Sequence, residues 1–282
     1  MSSSTTLQEE RPLFLTRSKT KAALTAFQAI FLRDLLVAWQ ALPTFLVQIL
    51  LQPLFLLFIF GKVLPGIGIA NPMLAVILLP GVIALTIFLT ALQSMAIDLS
   101  VDLGFLREID DRLLAPIPVS LVAIEKVLFA ALRALIAGVI IFPLAFLILG
   151  NGYQVRVDLF GVTLMLMALI ALMAAALGLI LGAVTPAMKI QLTFSLILTP
   201  LIFTGCTYYP WFSLSTIRWF QIVTLFNPLT YASEGLRYAM VPPIHGHPLQ
   251  TLAIGWILLM LCGICVACLG SGIKLFRQRV IA

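Results

Sequence analysis

The chain has 282 residues, of which 62% are hydrophobic and only 10% are charged, against roughly 25% charged residues in an ordinary soluble domain. A water-soluble protein could not cover its surface with so few polar side chains, so this composition excludes a soluble globular protein and indicates a chain that spans lipid. The formal net charge is +6. The basic residues form no stripe with interleaved aromatic residues, which argues against nucleic-acid binding.

The first 40 residues divide into a polar tail and an amphipathic helix. Residues 1–18 are polar and of mixed charge, whereas apolar residues recur at steps of three and four between residues 19 and 40. This spacing places them on one face of an α-helix. Such a helix directly before a membrane span is predicted to lie in the inner membrane interface. A cytosolic helix that packs against another loop is the alternative.

Six predominantly apolar stretches have roughly the 20 residues that a helix needs to cross the hydrocarbon core of a bilayer. Turn-forming or charged segments separate them. The sequence therefore predicts an all-α membrane protein with one six-span transmembrane domain over residues 41–282. Its predicted spans are 41–63, 73–97, 127–149, 159–184, 190–207 and 250–272.

The segment between the second and third predicted spans is the most highly charged part of the chain. Residues 98–126 hold nine charged side chains, so this segment is predicted to face water. Within it, Phe105, Leu106 and Leu113 share the apolar side of a short helix, which two prolines end sharply. Such a helix can fill a groove on another protein and move the spans at its ends. A solvated loop with one helical turn is the alternative.

Lys and Arg residues are distributed unevenly over the two sides that six spans create. Twelve fall on segments that share a side with the N-terminus, and four fall on the other side, namely Lys62, Arg156, Arg218 and Arg237. Basic residues are enriched in cytoplasmic loops. We therefore predict that both termini lie in the cytoplasm, on the same side as residues 98–126.

The sequence carries no recognisable catalytic or nucleotide-binding motif. It has neither the G-x-x-x-x-G-K-[ST] loop that holds ATP phosphates nor the H-E-x-x-H pattern of zinc enzymes. His245 and His247 have no nearby carboxylate or thiol, and Cys262, Cys265 and Cys268 lie inside an apolar span. We therefore expect no catalytic residue, no metal site and no cofactor bound by this chain.

Small residues predict two close contacts between helices. Gly178 and Gly182 stand four residues apart in the fourth span, and Gly263, Gly270 and Gly272 accompany the cysteines of the sixth. Small side chains let membrane helices approach closely, so both stretches are expected at interfaces between helices.

Charged residues are nearly absent from the middle of the predicted spans. Proton- and ion-coupled carriers hold such groups at membrane depth, because the coupled ion needs a site. A chain without that site and without an ATPase must either conduct passively or take its energy from a partner protein. A self-sufficient channel or secondary carrier is thus the alternative to a subunit that another protein drives.

Three stretches resemble the permeases of type-2 ATP-binding-cassette (ABC) transporters, from about residue 20 to the end of the chain. The central segment contributes Asp102-Leu-Gly104-Phe105-Leu106-Arg107-Glu108 and Leu113-Leu-Ala-Pro116-Ile-Pro118. The region after the fifth span contributes Pro200-Leu-Ile-Phe-Thr-Gly205, Tyr209-Pro210, Asn227-Pro228-Leu-Thr-Tyr231, Glu234 and Arg237. The third stretch is the amphipathic helix with Arg33-Asp34, followed by Gln52-Pro53. Within the family, the sequence is most similar to the daunorubicin-resistance-like drug export permeases.

The resemblance implies the membrane subunit of an ATP-driven exporter in a bacterial cytoplasmic (inner) membrane. Two permease subunits, here expected to be a homodimer, would pair within membrane lipid and bind two separate ABC ATPase subunits, which hold the ATP and Mg²⁺. The quoted residues from Asp102 to Pro118 would form a cytoplasmic coupling helix. A hydrophobic or amphipathic substrate, such as a drug, lipid or glycan, would pass between the permease subunits.

The second and fifth spans would border this pathway. Their polar side chains are the candidate pathway residues, which are Thr86, Thr90 and Gln93 in the second span and Thr193, Thr199 and Thr204 in the fifth. The alternative for the threonines is a hydrogen bond to the backbone of their own helix.

The resemblance also implies short re-entrant helices before the last span. The residues suit this arrangement, because Asn227 and Ser233 can cap short helices and Pro228 fits a first helical position. Glu234 and Arg237 stand three residues apart and can form an ion pair, which is less costly in a membrane than either charge alone. Their expected role is structural rather than direct substrate binding.

Overall fold

The computed structural model describes residues 19–69, 71, 73–106, 118–150, 153–243 and 249–281, with the backbone alone for residues 19–24, 26, 105, 106 and 281. The predicted polar tail, residues 107–117 of the central segment and the two histidines lie outside the described residues. Within these ranges the α-helices longer than one turn are α1 (Lys19–Phe58), α2 (Met73–Val101), α3 (Val119–Leu149), α4 (Phe160–Val184), α5 (Ile190–Thr204), α6 (Arg218–Thr224), α7 (Pro228–Met240) and α8 (Ile254–Ile281).

Short turns extend several of these helices. α1 continues through the π-helical residues Ile59–Val63 into a single turn at Leu64–Gly66, and α2 continues through the π-helical residues Asp102–Leu106. One 3₁₀ turn, Ala187–Lys189, precedes α5, and another, Trp211–Thr216, precedes α6.

The prediction of an all-α membrane protein with six spans is confirmed. Among the described residues, six helical stretches are long and apolar enough to cross a membrane, namely Phe27–Gly66, Met73–Gly104, Val119–Leu149, Phe160–Val184, Ala187–Thr204 and Ile254–Val280. They occur in the order that the sequence predicts, although α3 begins eight residues before the predicted boundary at residue 127. Pro118 directly precedes α3, with extended backbone at ψ 138°, so the helix starts where proline permits it.

The first helix differs from its prediction, because the expected interfacial helix and first span are joined in one. α1 runs through residue 40 without a break, and it accommodates Pro43 and Pro53, as membrane helices tolerate. At about 1.5 Å per residue, its 40 residues extend roughly 60 Å, about twice the thickness of a hydrocarbon core. Part of α1 must therefore tilt strongly or leave the core, and the interfacial position of residues 19–40 stays a prediction.

α2 is the central helix of the bundle. It is the most deeply buried of the six spans, whereas α1 and α8 are the least buried. α2 packs against α1, α3, α4, α5 and α7. Any displacement of α2 must therefore be transmitted to most of the other spans, because close-packed interiors do not deform continuously.

The predicted glycine contact on α4 lies at its interface with α2. A Cβ atom on Gly178 would come within 2.6 Å of the Leu92 carbonyl oxygen, and one on Gly182 would come within 2.9 Å of the Ala96 carbonyl oxygen. Both distances are far below van der Waals contact, so hydrogen is the only side chain that permits this separation of the two backbones.

The predicted small-residue contact on α8 is largely absent from the described part of the chain. Gly272 packs against Leu179 of α4, but a Cβ atom on Gly263 or Gly270 would meet nothing within 4 Å. Cys262 is exposed, and Cys265 and Cys268 are half-buried. This face of α8 is therefore not covered by a neighbouring helix among the described residues.

Gly178→Ala is expected to destabilise the protein by about 1–3 kcal/mol, the cost of inserting a methylene into a filled interface. The measurement is the midpoint of thermal unfolding of the purified chain in detergent. Gly263→Ala is the matched control, because it adds the same methyl group where the structure has open space. Equal midpoints for both variants would contradict the close approach of α2 and α4.

Candidate functional site

An ion pair and a close contact hold the segment that leads out of α2. The ammonium group of Lys126 on α3 donates a hydrogen bond to the Asp102 carboxylate, and both side chains are about nine-tenths buried. Two residues further along the chain, a Cβ atom on Gly104 would come within 3.0 Å of the Cβ atom of Ala187. The start of the predicted coupling helix is thus linked to α3 and to the turn before α5. We call the bundle end that contains these residues the loop end.

The C-terminal end of α4 is hydrogen-bonded to two other helices at the loop end. The Ser100 hydroxyl of α2 lies 3.4 Å from the carbonyl oxygens of Gly182 and Thr185. The Arg279 guanidinium of α8 donates to the Ala183 carbonyl at 2.5 Å. These donors satisfy carbonyl groups that the last turn of a helix leaves without a partner.

Only part of the predicted coupling helix can be located. Asp102 and Gly104 lie in the π-helical turn described above, and Phe105 and Leu106 complete that turn. Pro118 is exposed at the start of α3. The remaining predicted coupling residues lie outside the described part of the chain, and these are Arg107, Glu108, Leu113 and Pro116.

A polar cavity of about 280 Å³ lies between α1 and α2, and we call it the membrane groove. Half of its lining side chains are apolar, and the other half carry amide, hydroxyl or charged groups. The polar lining residues are Gln48, Gln52, Thr86, Thr90, Gln93, Ser94, Asp98 and Arg133. These side chains supply hydrogen-bond donors and acceptors along the groove.

The second-span pathway candidates all line the membrane groove. Thr86 and Thr90 are buried, and Gln93 is half-buried. The Thr86 hydroxyl donates to the Val82 carbonyl of its own helix at 2.9 Å, which leaves its oxygen lone pairs as acceptors toward the groove.

The fifth-span candidates lie elsewhere. The hydroxyls of Thr193 and Thr199 donate to carbonyls four residues earlier, those of Lys189 just before α5 and Ser195 within it, as the alternative for these residues predicts. Thr204 does the same and also accepts a hydrogen bond from Asn227. The structure therefore does not bring the two predicted sets together in this groove, whose second wall is α1.

A second cavity of about 330 Å³ adjoins the groove toward the loop end, and we call it the charged vestibule. Its ionisable lining residues are Asp34, Asp98, Asp102, Lys126 and Arg133. Asp98 and Arg133 line both cavities, and their side chains are joined by a hydrogen bond of 3.3 Å. This ion pair therefore stands where the vestibule and the groove meet.

The bundle end opposite the loop end is closed by a hydrogen-bonded cap around α7. The Asn227 side chain accepts a hydrogen bond from the Leu229 N–H and donates to the Leu201 carbonyl, and Pro228 occupies the first turn. Asn227 is thus the helix cap that its residue type predicts. Ser233 is not a cap, because it lies inside α7 and its hydroxyl donates to the Gly205 carbonyl at 3.1 Å.

A fully buried ion pair lies beneath this cap. The Arg237 guanidinium donates to Glu234 at 2.9 Å, and both side chains are 0% exposed. It also donates to the backbone carbonyls of Ile77 on α2 and Thr207 after α5, at 3.2 and 2.7 Å. One side chain thereby joins three parts of the chain.

Two other features tighten the same region. The Tyr231 hydroxyl donates to the Leu225 carbonyl at 2.8 Å, which fixes the turn before α7. A Cβ atom on Gly81 would come within 1.9 Å of the Thr207 carbonyl oxygen, so the loop after α5 rests directly on the backbone of α2. Asn227, Tyr231, Glu234 and Arg237 thus all make hydrogen bonds within the protein, and their structural role stays a prediction.

Arg237→Leu is expected to lower the free energy of unfolding by roughly 3–5 kcal/mol, because it leaves the Glu234 carboxylate buried without its cation. The measurement is the thermal unfolding midpoint of the purified chain. The double variant Glu234→Gln with Arg237→Leu removes both charges and is expected to be more stable than Arg237→Leu alone. A double variant as unstable as the single one would show that the ion pair is not what stabilises this cap.

Sequence reasoning missed two features of the membrane groove. Gln48 and Gln52 stand four residues apart on α1, a spacing that places both on one helix face. Asp98 and Arg133 were assigned to span boundaries, although their pairing across two helices could not be derived from a separation of 35 residues. The useful signal was that polar residues recur at steps of three or four within otherwise apolar spans.

Six candidate spans, with a polar groove between α1 and α2 and a charged vestibule beside it, are the features of a polytopic α-helical membrane protein. A family model for the ABC-2 type transporter matches residues 25–241, more than half of the chain. The chain therefore belongs to the ABC-2 type transporter membrane family. It is the permease component of an ABC transporter, which is a transport component rather than a catalytic one. No curated protein matches the sequence closely enough to count as a relative.

Proposed function

We propose that this permease exports a hydrophobic or amphipathic substrate from the cytoplasm and is driven by a separate ABC ATPase subunit that docks on residues 98–126. The observation that carries the proposal is the geometry of the loop end. There the segment Asp102–Leu106 continues directly from the central helix α2, is tied to α3 through Lys126, and contacts Ala187 before α5. A force on this segment reaches three spans at once.

The short distances at this contact favour mechanical transmission. Gly104 and Ala187 leave no room for an intervening side chain, and the Asp102–Lys126 pair is largely shielded from water. A buried charge pair resists separation, because each charge would lose its partner. A docking movement at residues 107–117 would therefore move α2, α3 and α5 together rather than bend a flexible loop.

The membrane groove is the proposed start of the substrate pathway in each subunit. Thr86, Thr90 and Gln93 provide hydrogen-bonding groups, and the surrounding apolar wall suits a hydrophobic body. This arrangement supports a hydrophobic or amphipathic substrate, whether drug, lipid or glycan, and is compatible with the proposed similarity to daunorubicin-resistance-like permeases.

A second copy of the chain is the proposed partner across the membrane plane. α5 is poorly covered, with Leu192, Leu196 and Phe203 each more than half exposed. Thr193 and Thr199 lie on the same short helix. Pairing of two copies along α5 would place these threonines beside a pathway at the subunit interface, with lipid around the remaining surface.

The proposed orientation puts the loop end and both termini in the cytoplasm of a bacterial cell, with the helices α6 and α7 as a re-entrant closure on the outer side. The excess of Lys and Arg on the segments at the loop end supports it. ATP and Mg²⁺ are assigned to the partner ATPase.

Phe105→Glu and Leu106→Glu are expected to weaken ATPase docking at least about tenfold, or about 1.4 kcal/mol, since they place a charge on the apolar side predicted to fill the partner's groove. The measurement is the amount of ABC ATPase retained on the tagged chain when both are co-expressed, together with ATP hydrolysis by the complex.

Val157→Glu is the matched control, because it introduces the same charge at a position 79% exposed at the opposite end of the bundle. It is expected to retain the ATPase as the wild-type chain does. Undiminished docking by both loop variants would contradict the proposed coupling. Transport by the purified chain in vesicles without ATP would favour the self-sufficient channel or carrier instead.

A further inference from the structure

Among the described residues, the ion pair between Asp98 and Arg133 differs from the Glu234–Arg237 and Asp102–Lys126 pairs in how far its side chains are exposed. The side chains of Glu234 and Arg237 are 0% exposed, and those of Asp102 and Lys126 are about one-tenth exposed. By contrast, the Asp98 side chain is 49% exposed and the Arg133 side chain is 25% exposed. Both face the membrane groove and the charged vestibule, so a bound molecule could reach both charges.

Arg133 is held in place mainly by aromatic rings rather than by hydrogen bonds. Its guanidinium carbon lies 4.3 Å from the centroid of the Phe45 ring on α1 and 5.9 Å from that of Phe129 on α3. Its hydrogen bond to Asp98 is long, at 3.3 Å, and involves one nitrogen. A guanidinium has five N–H donors. Cation–π contacts engage the flat face of the guanidinium and leave its in-plane N–H groups available. Arg133 is therefore oriented and can still donate hydrogen bonds to an anion.

The low-dielectric surroundings determine which ligand this pair can accept. An anion that binds Arg133 weakens its contact with Asp98 and leaves that carboxylate without a full partner, and a cation that binds Asp98 does the same to Arg133. Breaking the pair in this way leaves one charge without its partner beside the apolar side chains of the groove, which is unfavourable. A ligand that carries both charges can exchange partners with the pair, so that all four charges stay neutralised.

The rest of the groove fits the body of such a ligand. Gln48, Gln52 and Gln93 offer amide groups next to the charges, and the groove continues between the apolar side chains of α1 and α2. On α1, Val47, Leu51 and Phe55 are each more than half exposed. An alkyl chain can therefore leave the groove along a lipid-facing surface without passing a polar barrier.

We propose that the Asp98–Arg133 pair binds the headgroup of a zwitterionic amphiphile, whose apolar tail lies along α1 and α2 in the membrane groove. That this site binds a transported substrate rests on the proposed export function. The pair then acts as a selectivity element between the charged vestibule and the membrane, which favours molecules with one positive and one negative group over amphiphiles of a single charge.

The test compares three probes with the same tail, which are dodecylphosphocholine (zwitterionic), dodecyl phosphate (anionic) and dodecyltrimethylammonium (cationic). Binding to the purified full chain is counted by native mass spectrometry from a non-ionic detergent. The wild-type chain is expected to bind the zwitterion at least about tenfold more tightly than either other probe. Phosphocholine without a tail is expected to compete weakly.

Single charge deletions should change the preference in opposite directions. Arg133→Gln leaves the Asp98 carboxylate and is expected to favour the cationic probe, whereas Asp98→Asn leaves the guanidinium and is expected to favour the anionic probe. The double variant removes both charges and is expected to bind the three probes alike. Thermal unfolding checks that each variant is folded, and the double variant provides a net-neutral comparison if a single variant is unstable.

Arg156→Gln and Asp158→Asn are the matched controls. This pair is joined by a hydrogen bond of 2.6 Å outside the six spans, where the hydrogen bond from Arg156 lowers the pKa of the Asp158 carboxyl below its ordinary value. Neither control is expected to alter probe preference. Equal binding or no binding of the probes by the wild-type chain, or an unchanged preference in both single variants, would overturn the proposal. Because the assay contains no ATPase, these outcomes leave the coupling proposal standing.

Discussion

A charge inside a lipid-embedded bundle must find its partner within the protein, and the architecture of this permease follows from that constraint. In a medium without water, an unpaired carboxylate, guanidinium or ammonium group is strongly unfavourable. The Glu234–Arg237 and Asp102–Lys126 pairs satisfy the constraint by burial at opposite ends of the bundle. The Asp98–Arg133 pair satisfies it while it remains accessible. The Glu234–Arg237 pair thus lies at the buried cap around α7, and the Asp102–Lys126 pair lies at the loop end. The accessible Asp98–Arg133 pair lies between them.

α2 connects these three regions. It supplies Asp102 and Ser100 at the loop end, Thr86 and Thr90 in the groove, and the Ile77 carbonyl to Arg237 at the opposite end. Its backbone is in close contact with α4 and with the loop after α5. In the proposed mechanism, a displacement that begins at the ATPase would change the width of the groove and the strength of the outer closure through one helix.

The sequence predicted those features that depend on interactions between residues close together in the chain. Long apolar stretches located the six spans, and the Asn227–Pro228 pattern and the i,i+3 spacing of Glu234 and Arg237 gave a helix cap and an ion pair that the structure contains. Tertiary packing controlled the rest. The union of two expected helices in α1, the partner of Arg133 on a different helix and the open surface beside Gly263 all depend on which faces meet. Periodicity in one sequence shows which residues share a helix face, but not which other helix packs against that face.

The central claim is that the loop end faces the cytoplasm, where the ATPase subunit docks and drives the movement of the spans. A membrane-impermeant maleimide applied to sealed vesicles of known orientation tests it directly, with Pro118→Cys at the exposed start of α3 and Val157→Cys in the exposed loop at the other end. The native cysteines provide a low background, since Cys206 is buried and the other three lie within the last span. The account predicts that Pro118→Cys is labelled in inverted vesicles and Val157→Cys in right-side-out vesicles. The reverse pattern would place the coupling segment on the outer face and contradict the account.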